Sequence, residues 1–241
     1  MPTMILVRHG RTTANASGVL AGRTPGVKLD ETGREQVRRT GERLAVVPLA
    51  AVVSSPLERC RQTSRAIVEQ QSEPTDLVIE KGITECDYGD WQGGTLTELG
   101  QEDLWNVVQS QPSAATFPGG ESLATMQARA VAAVRRHDAE LETTHGDHAV
   151  WAAVSHGDII KAILADALGM HLDLFQRLHV DPASISIIRY GTHRPTVLAS
   201  NTHAGDLAWL SVTPSTDDAS VGGGAGPDAV STHAAQASGR S

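Results

Sequence analysis

Short apolar runs recur along the chain as far as about residue 200, and most are followed by stretches whose apolar residues fall three or four apart. Runs of the first kind predict buried strands and stretches of the second kind amphipathic helices. Met4-Ile5-Leu6-Val7 is a strand that breaks off abruptly at Arg8-His9-Gly10. Asp30 can cap a helix over 31–46 with Val37, Leu44 and Ala45 on one face. A second strand at 51–54 precedes Ser55-Pro56, which read as an N-cap and a first-position proline. The helix they open carries Leu57, Cys60, Ile67 and Val68 on its apolar side.

A third strand over 77–80 leads into an acidic, glycine-bearing loop at 85–94. Helices over 97–109 and 121–142 follow, separated by Pro112 and Pro118-Gly119-Gly120. The strand at 149–154 again ends in a histidine–glycine pair, Ser155-His156-Gly157, before a helix at 158–168 that Gly169 stops. Two strands, 184–190 and 196–200, joined through Gly191, close the pattern. Strands alternating with amphipathic helices predict an α/β fold, three layers deep, with a mostly parallel central sheet covered on both faces.

Past about Thr213 the composition turns to Gly, Ala, Ser, Asp and Thr without periodicity. The expected organisation is one domain over 1–212 and a disordered tail over 213–241. The run Gly222-Gly223-Gly224 follows no strand, which argues against a nucleotide-binding loop.

Charge changes the picture little. A formal net charge of -8 gives no support for a broad basic nucleic-acid surface, although a few convergent arginines can still hold an anion. Two cysteines, Cys60 and Cys86, make no disulfide framework or metal knuckle. The first residues read neither as a signal peptide nor as a membrane span, so cytoplasmic residence is the expectation. The cluster His145-Gly146-Asp147-His148 reads as an exposed turn rather than a metal site.

The chemistry gathers at strand ends. In an open parallel sheet ligands bind at the carboxyl ends of the strands, which places His9 and His156 at one edge together with Arg8 and, one turn into the helix after the second strand, Arg59. Two guanidinium forks and two imidazoles make a trap for a phosphoryl group. A neutral imidazole among cations is a competent nucleophile, because its neighbours oppose protonation. A departing alkoxide also needs a proton donor, and Glu85, Asp87 and Asp90 compete for that role on spacing alone. Arg61 points to another helix face, Trp91 and Trp105 read as core or pocket wall, and the roles of Arg11 and Arg23 stay open.

Leu6-Val7-Arg8-His9-Gly10, with Asn15 six residues past the histidine, resembles the opening motif of the histidine phosphatase (phosphoglycerate mutase-like) superfamily. The segment 54–63, containing Arg59, is similar to the second motif, 85–93 to the acidic loop, and Val154-Ser155-His156-Gly157 to the second histidine motif. The likeness covers roughly residues 4–200, with the motifs in the family's order. It implies a phosphoglycerate mutase-like fold and a phosphomonoester hydrolase that works through a phosphohistidine on His9. Glu85 would be general acid and base, His156 a further catalytic residue, and Arg8, Arg59 and Asn15 phosphate ligands. It implies no metal, no cofactor and a small phosphorylated substrate, and it is compatible with a homodimer.

The family's mutases carry an arginine-rich insertion for a second phosphate. The matching stretch here, 94–120, has neither arginine nor lysine, and Pro118-Gly119-Gly120-Glu121-Ser122 looks like the phosphatase branch. Mutase-type transfer and a catalytically silent phosphate-binding module are the alternatives. The silent module is disfavoured because His9 and the acid are both present. A serine hydrolase built on Ser55 or Ser155 is disfavoured because neither lies in a Gly-x-Ser-x-Gly elbow.

Overall fold

The computed structural model describes residues 2–191, 193–203, Gly222 and Gly224. Six strands, β1 (Thr3–Arg8), β2 (Ala51–Ser54), β3 (Asp76–Ile79), β4 (Val150–Ser155), β5 (Ile185–Tyr190) and β6 (Pro195–Thr202), form one sheet in the order β3-β2-β4-β1-β5-β6. The first four run parallel, while β5 pairs antiparallel with both β1 and β6.

Alternation along the central strands explains the layers. Met4 and Leu6 of β1, Val53 of β2 and Trp151 and Ala153 of β4 share a core with α6 (Leu123–His145) and α7 (Gly157–Ala167). Their neighbours Ile5, Val7, Val52, Ala152 and Val154 pack with Leu44 of α2 (Glu31–Leu44) and with Cys60 and Ile67 of α3 (Glu58–Val68). Successive side chains of a strand point to opposite faces, so a strand buried on both reads as a continuous apolar run. The mostly parallel, three-layer expectation holds, with an antiparallel pair at one edge.

Several boundaries differ from the sequence reading. Helix α3 starts at Glu58 with Leu57 as its N-cap, not at Ser55-Pro56, because the Ser55 hydroxyl is hydrogen-bonded to His156 Nε2 (2.7 Å). Helix α2 ends at Leu44, and Val46 stands 83% exposed two residues before Pro48. The helix expected over 97–109 is two, α4 (Leu96–Leu99) and α5 (Asp103–Ser110), divided where Gly100 ends the first. A one-turn helix, α1 (Thr13–Ala16), follows β1. Strand β3 lies at the sheet edge with its side chains exposed. Among the described residues no helix is long and apolar enough to cross a membrane. The tail expected from residue 213 falls outside the described residues except for Gly222 and Gly224.

Candidate active site

Strands β1 and β4 are direct neighbours, with Arg8 opposite Ser155. The ladder continues one step further, as the His9 amide donates to the Ser155 carbonyl (3.0 Å). That step brings His9 and His156 together at the carboxyl ends of adjacent strands, their rings edge to face with centroids 5.2 Å apart. Gly10 follows because nothing larger fits: a Cβ there would lie 2.6 Å from the Gly33 carbonyl oxygen of α2. Arg8, His9, Arg59, Glu85 and His156 are each at most 3% exposed.

The partners of His9 fix its tautomer. Arg59 Nε lies 3.2 Å from Nε2, and a guanidinium N–H can only donate, so Nε2 is the acceptor. The proton therefore sits on Nδ1, which donates to the Gly10 carbonyl (2.8 Å). Burial, then Arg59 and Arg8, hold the His9 pKa well below the ordinary histidine range. The ring is neutral, with its lone pair on the nitrogen that faces the cationic cluster.

Arg59, the second residue of α3, also donates Nη2 to the Gly22 carbonyl (2.7 Å). Its Nη1 is buried and has no hydrogen-bond partner among the described residues. A buried charged donor left without an acceptor costs about 1–3 kcal/mol or more, so this nitrogen is a candidate ligand for an anion. Arg8 donates Nη1 to the Val180 carbonyl (2.8 Å) and Nη2 to the Gly224 carbonyl (3.0 Å). His156 is also held well below the usual histidine range, by burial and then by Arg59, His9 and Arg8. Asn15 lines the same pocket, and its amide oxygen accepts from the Thr12 amide (3.1 Å) and hydroxyl (2.8 Å) in the capping box of α1.

Glu85 is the acidic residue that shares this pocket with His9 and Arg59. Of its two sequence competitors, Asp87 is paired with Arg23 (3.0 Å) and Asp90 is exposed. One Glu85 oxygen accepts from the Cys86 amide (2.9 Å), and the other lies 3.8 Å from His156 Nδ1. Burial, reinforced by the charge of Asp158, pushes the carboxyl up to about 7 against the opposing pull of Arg59 and Arg8. Asp158, the second residue of α7, accepts from the buried Tyr88 hydroxyl (2.8 Å) and from the Gly222 amide (3.0 Å), and lies 3.7 Å from Lys161 Nζ.

The backbone of Glu85 is held by residues whose part was not readable in the sequence. Arg23 Nε (2.9 Å) and Arg129 Nη2 (3.1 Å) both donate to the Glu85 carbonyl. Arg129 Nη1 donates to the carbonyls of Gly82 and Thr84, each at 2.8 Å. Glu121 joins the two guanidiniums, accepting from Arg23 Nη2 (2.9 Å), Arg129 Nε (3.0 Å) and the Asp87 amide (2.9 Å). The Ser155 hydroxyl ties strand β4 to the same loop through the Ile83 carbonyl (2.7 Å). Arg11 is turned away onto Asp30 (2.8 Å) and Thr32 (2.7 Å). Both thiols are buried and unreactive by acidity, Cys60 pushed up to about 12 and Cys86 raised further.

Residues 4–203 match the sequence profile of the histidine phosphatase superfamily (branch 1). The chain is 34% identical over 194 residues to a Mycobacterium tuberculosis protein described as bifunctional, covering 78% of this chain and 50% of that one. It is thus similar to about half the length of that relative. It is 31% identical over 204 residues to phosphoserine phosphatase 1 of Hydrogenobacter thermophilus, covering 83% of this chain and 92% of the relative. In structure it resembles YhfR of Bacillus stearothermophilus with a TM-score of 0.74 at 26% identity, over 86% of this chain and 98% of that one.

Proposed function

The chain belongs to the histidine phosphatase superfamily, and from that premise we propose that it is a phosphomonoester hydrolase acting through a phosphohistidine on His9. The observation that carries the reading is the neutral His9, its Nε2 lone pair facing Arg59, beside a buried guanidinium nitrogen that has no partner among the described residues. In the first step Nε2 attacks phosphorus, the P–O ester bond breaks and an N–P bond forms. Arg59 turns its N–H groups from the imidazole to the phosphoryl oxygens, and Arg8 and His156 take the remaining ones. Asn15, whose amide oxygen is held by Thr12, can offer an anion only N–H donors. Glu85, with a carboxyl poised near neutrality, gives its proton to the departing alkoxide.

In the second step the resulting carboxylate takes a proton from water, whose oxygen attacks phosphorus as the N–P bond breaks. Inorganic phosphate leaves and His9 is again neutral. Positioning and charge stabilisation account for catalysis, as expected for a loose phosphoryl transition state. Hydrolysis is preferred to transfer onto a second phosphorylated site because 94–120 carries no cation to hold a second phosphate.

The test is turnover of p-nitrophenyl phosphate in excess EDTA by the full chain and its His9→Ala variant. EDTA-resistant hydrolysis that disappears in the variant is the expected result. Undiminished hydrolysis by His9→Ala overturns the reading.

A further inference from the structure

Among the described residues, the cations that could meet a substrate belong to the buried cluster of Arg8, His9, Arg59 and His156, the floor of the site. Around His9, Arg59 and Glu85, the described lining that forms the mouth has Ala14, Val19, Leu20, Ala21 and Leu96 as its apolar side chains and Thr12 and Asn15 as its uncharged polar ones. Backbone bonds hold segments 18–20 and 93–96 together: the Leu20 amide donates to the Gly94 carbonyl (2.9 Å), Gly93 to Leu20 (2.8 Å) and Leu96 to Gly18 (2.8 Å). The remaining described lining toward the tail is Gly222 and Gly224, which bring no charge.

The two arginines of the segment 11–23 are already committed. Arg23 is held by the Glu85 carbonyl, Asp87 and Glu121, and Arg11 by Asp30 and Thr32. Among the described residues, Arg59 is the cation lining the pocket, and Arg8 stands beside it at the end of β1. A phosphoryl group saturates both.

On the phosphatase reading above, we infer that the site takes phosphomonoesters whose alcohol portion is uncharged and partly apolar, and turns away those carrying a second anion. A carboxylate or second phosphate on the alcohol would have to leave water beside valine, leucine and alanine with no counter-charge among the described residues. An apolar alcohol loses nothing on entering and gains buried area against the same wall. Discrimination here comes from a missing partner for the wrong substrate as much as from contacts to the right one.

The experiment compares benzyl phosphate, 4-carboxybenzyl phosphate and the neutral isostere 4-carbamoylbenzyl phosphate, whose ester oxygens are similar leaving groups. The full chain and His9→Ala are assayed side by side. The expected kcat/KM for the carboxylate is at least tenfold below that for benzyl phosphate, with the carboxamide within about threefold of the parent, a difference of a methylene-sized contact or less. The gap persists in 0.5 M salt, because a local desolvation penalty is not screened as a long-range field is. Val19→Arg narrows it by raising turnover of the carboxylate. Equal or better turnover of the carboxylate by the unaltered chain, or a gap that vanishes in salt, overturns the inference and leaves the His9 mechanism standing. Loss of all His9-dependent turnover across the three esters instead refutes the phosphatase reading on which it rests.

Discussion

On the floor of the pocket, five ionisable side chains from four segments are at most 3% exposed, and each is fixed by a hydrogen bond of its own. At the mouth, Val19, Leu20 and Leu96 are fixed through their backbones, and their side chains carry no chemistry. On the proposed mechanism the floor sets the reaction, and on the further inference the mouth selects the molecule. A change on the floor should therefore alter the chemical step, and a change at the mouth should alter the choice of substrate.

The largest expected effect breaks the floor. Glu85→Gln removes the proton donor, so kcat/KM for an alkyl phosphate with a poor leaving group falls by about 10²–10⁴-fold. For p-nitrophenyl phosphate, whose leaving group needs little protonation, the loss in kcat/KM stays below about tenfold, since general acid catalysis scales with the demand for the proton. The pH profile carries the same signature. Burial has pushed this carboxyl up to about 7, and it works as an acid only while protonated. Thus kcat/KM for the alkyl ester declines as pH rises through about 7, and Glu85→Gln abolishes that limb. A leaving-group-independent loss would remove Glu85 from the acid role.

The smallest expected effect comes from the mouth. Removing 213–241 takes away the Gly224 carbonyl on Arg8 and the Gly222 amide on Asp158. Losing contacts of about 1 kcal/mol each, p-nitrophenyl phosphate turnover should change by less than about fivefold. Inhibition by inorganic phosphate should tighten slightly, because Arg8 no longer serves a backbone oxygen. Collapse of turnover on truncation would mean that the mouth is part of the floor and would dissolve the distinction.

The two regions were not equally legible in the sequence. The meeting of His9 and His156 follows from two apolar runs ending in the same way, because parallel strands present like ends at one edge, and β1 and β4 are indeed adjacent. Spacing left Glu85, Asp87 and Asp90 level. The fold separates them by handing Asp87 to Arg23 and Asp90 to solvent.

The clamp of Arg23, Glu121 and Arg129 on the Glu85 backbone left no local trace. It joins residues about a hundred positions apart, and Arg129 sits within a long helix where an arginine ordinarily reads as solvated. Ser55 misled for a similar reason. As a helix cap it is locally plausible, yet its hydroxyl is drawn to His156, the N-cap of α7, 101 residues away. The mouth, set by backbone bonds between 18–22 and 93–96, has no motif to read.

The most direct test of the His9 claim uses Glu85→Gln, where slow hydrolysis of the phosphoenzyme should let it accumulate. Rapid mixing with p-nitrophenyl phosphate is predicted to give a burst of p-nitrophenolate stoichiometric with enzyme, with an acid-labile, base-stable phosphoryl label on the peptide containing His9. A linear release without burst, and a label that is absent or lies on another residue, would contradict the account.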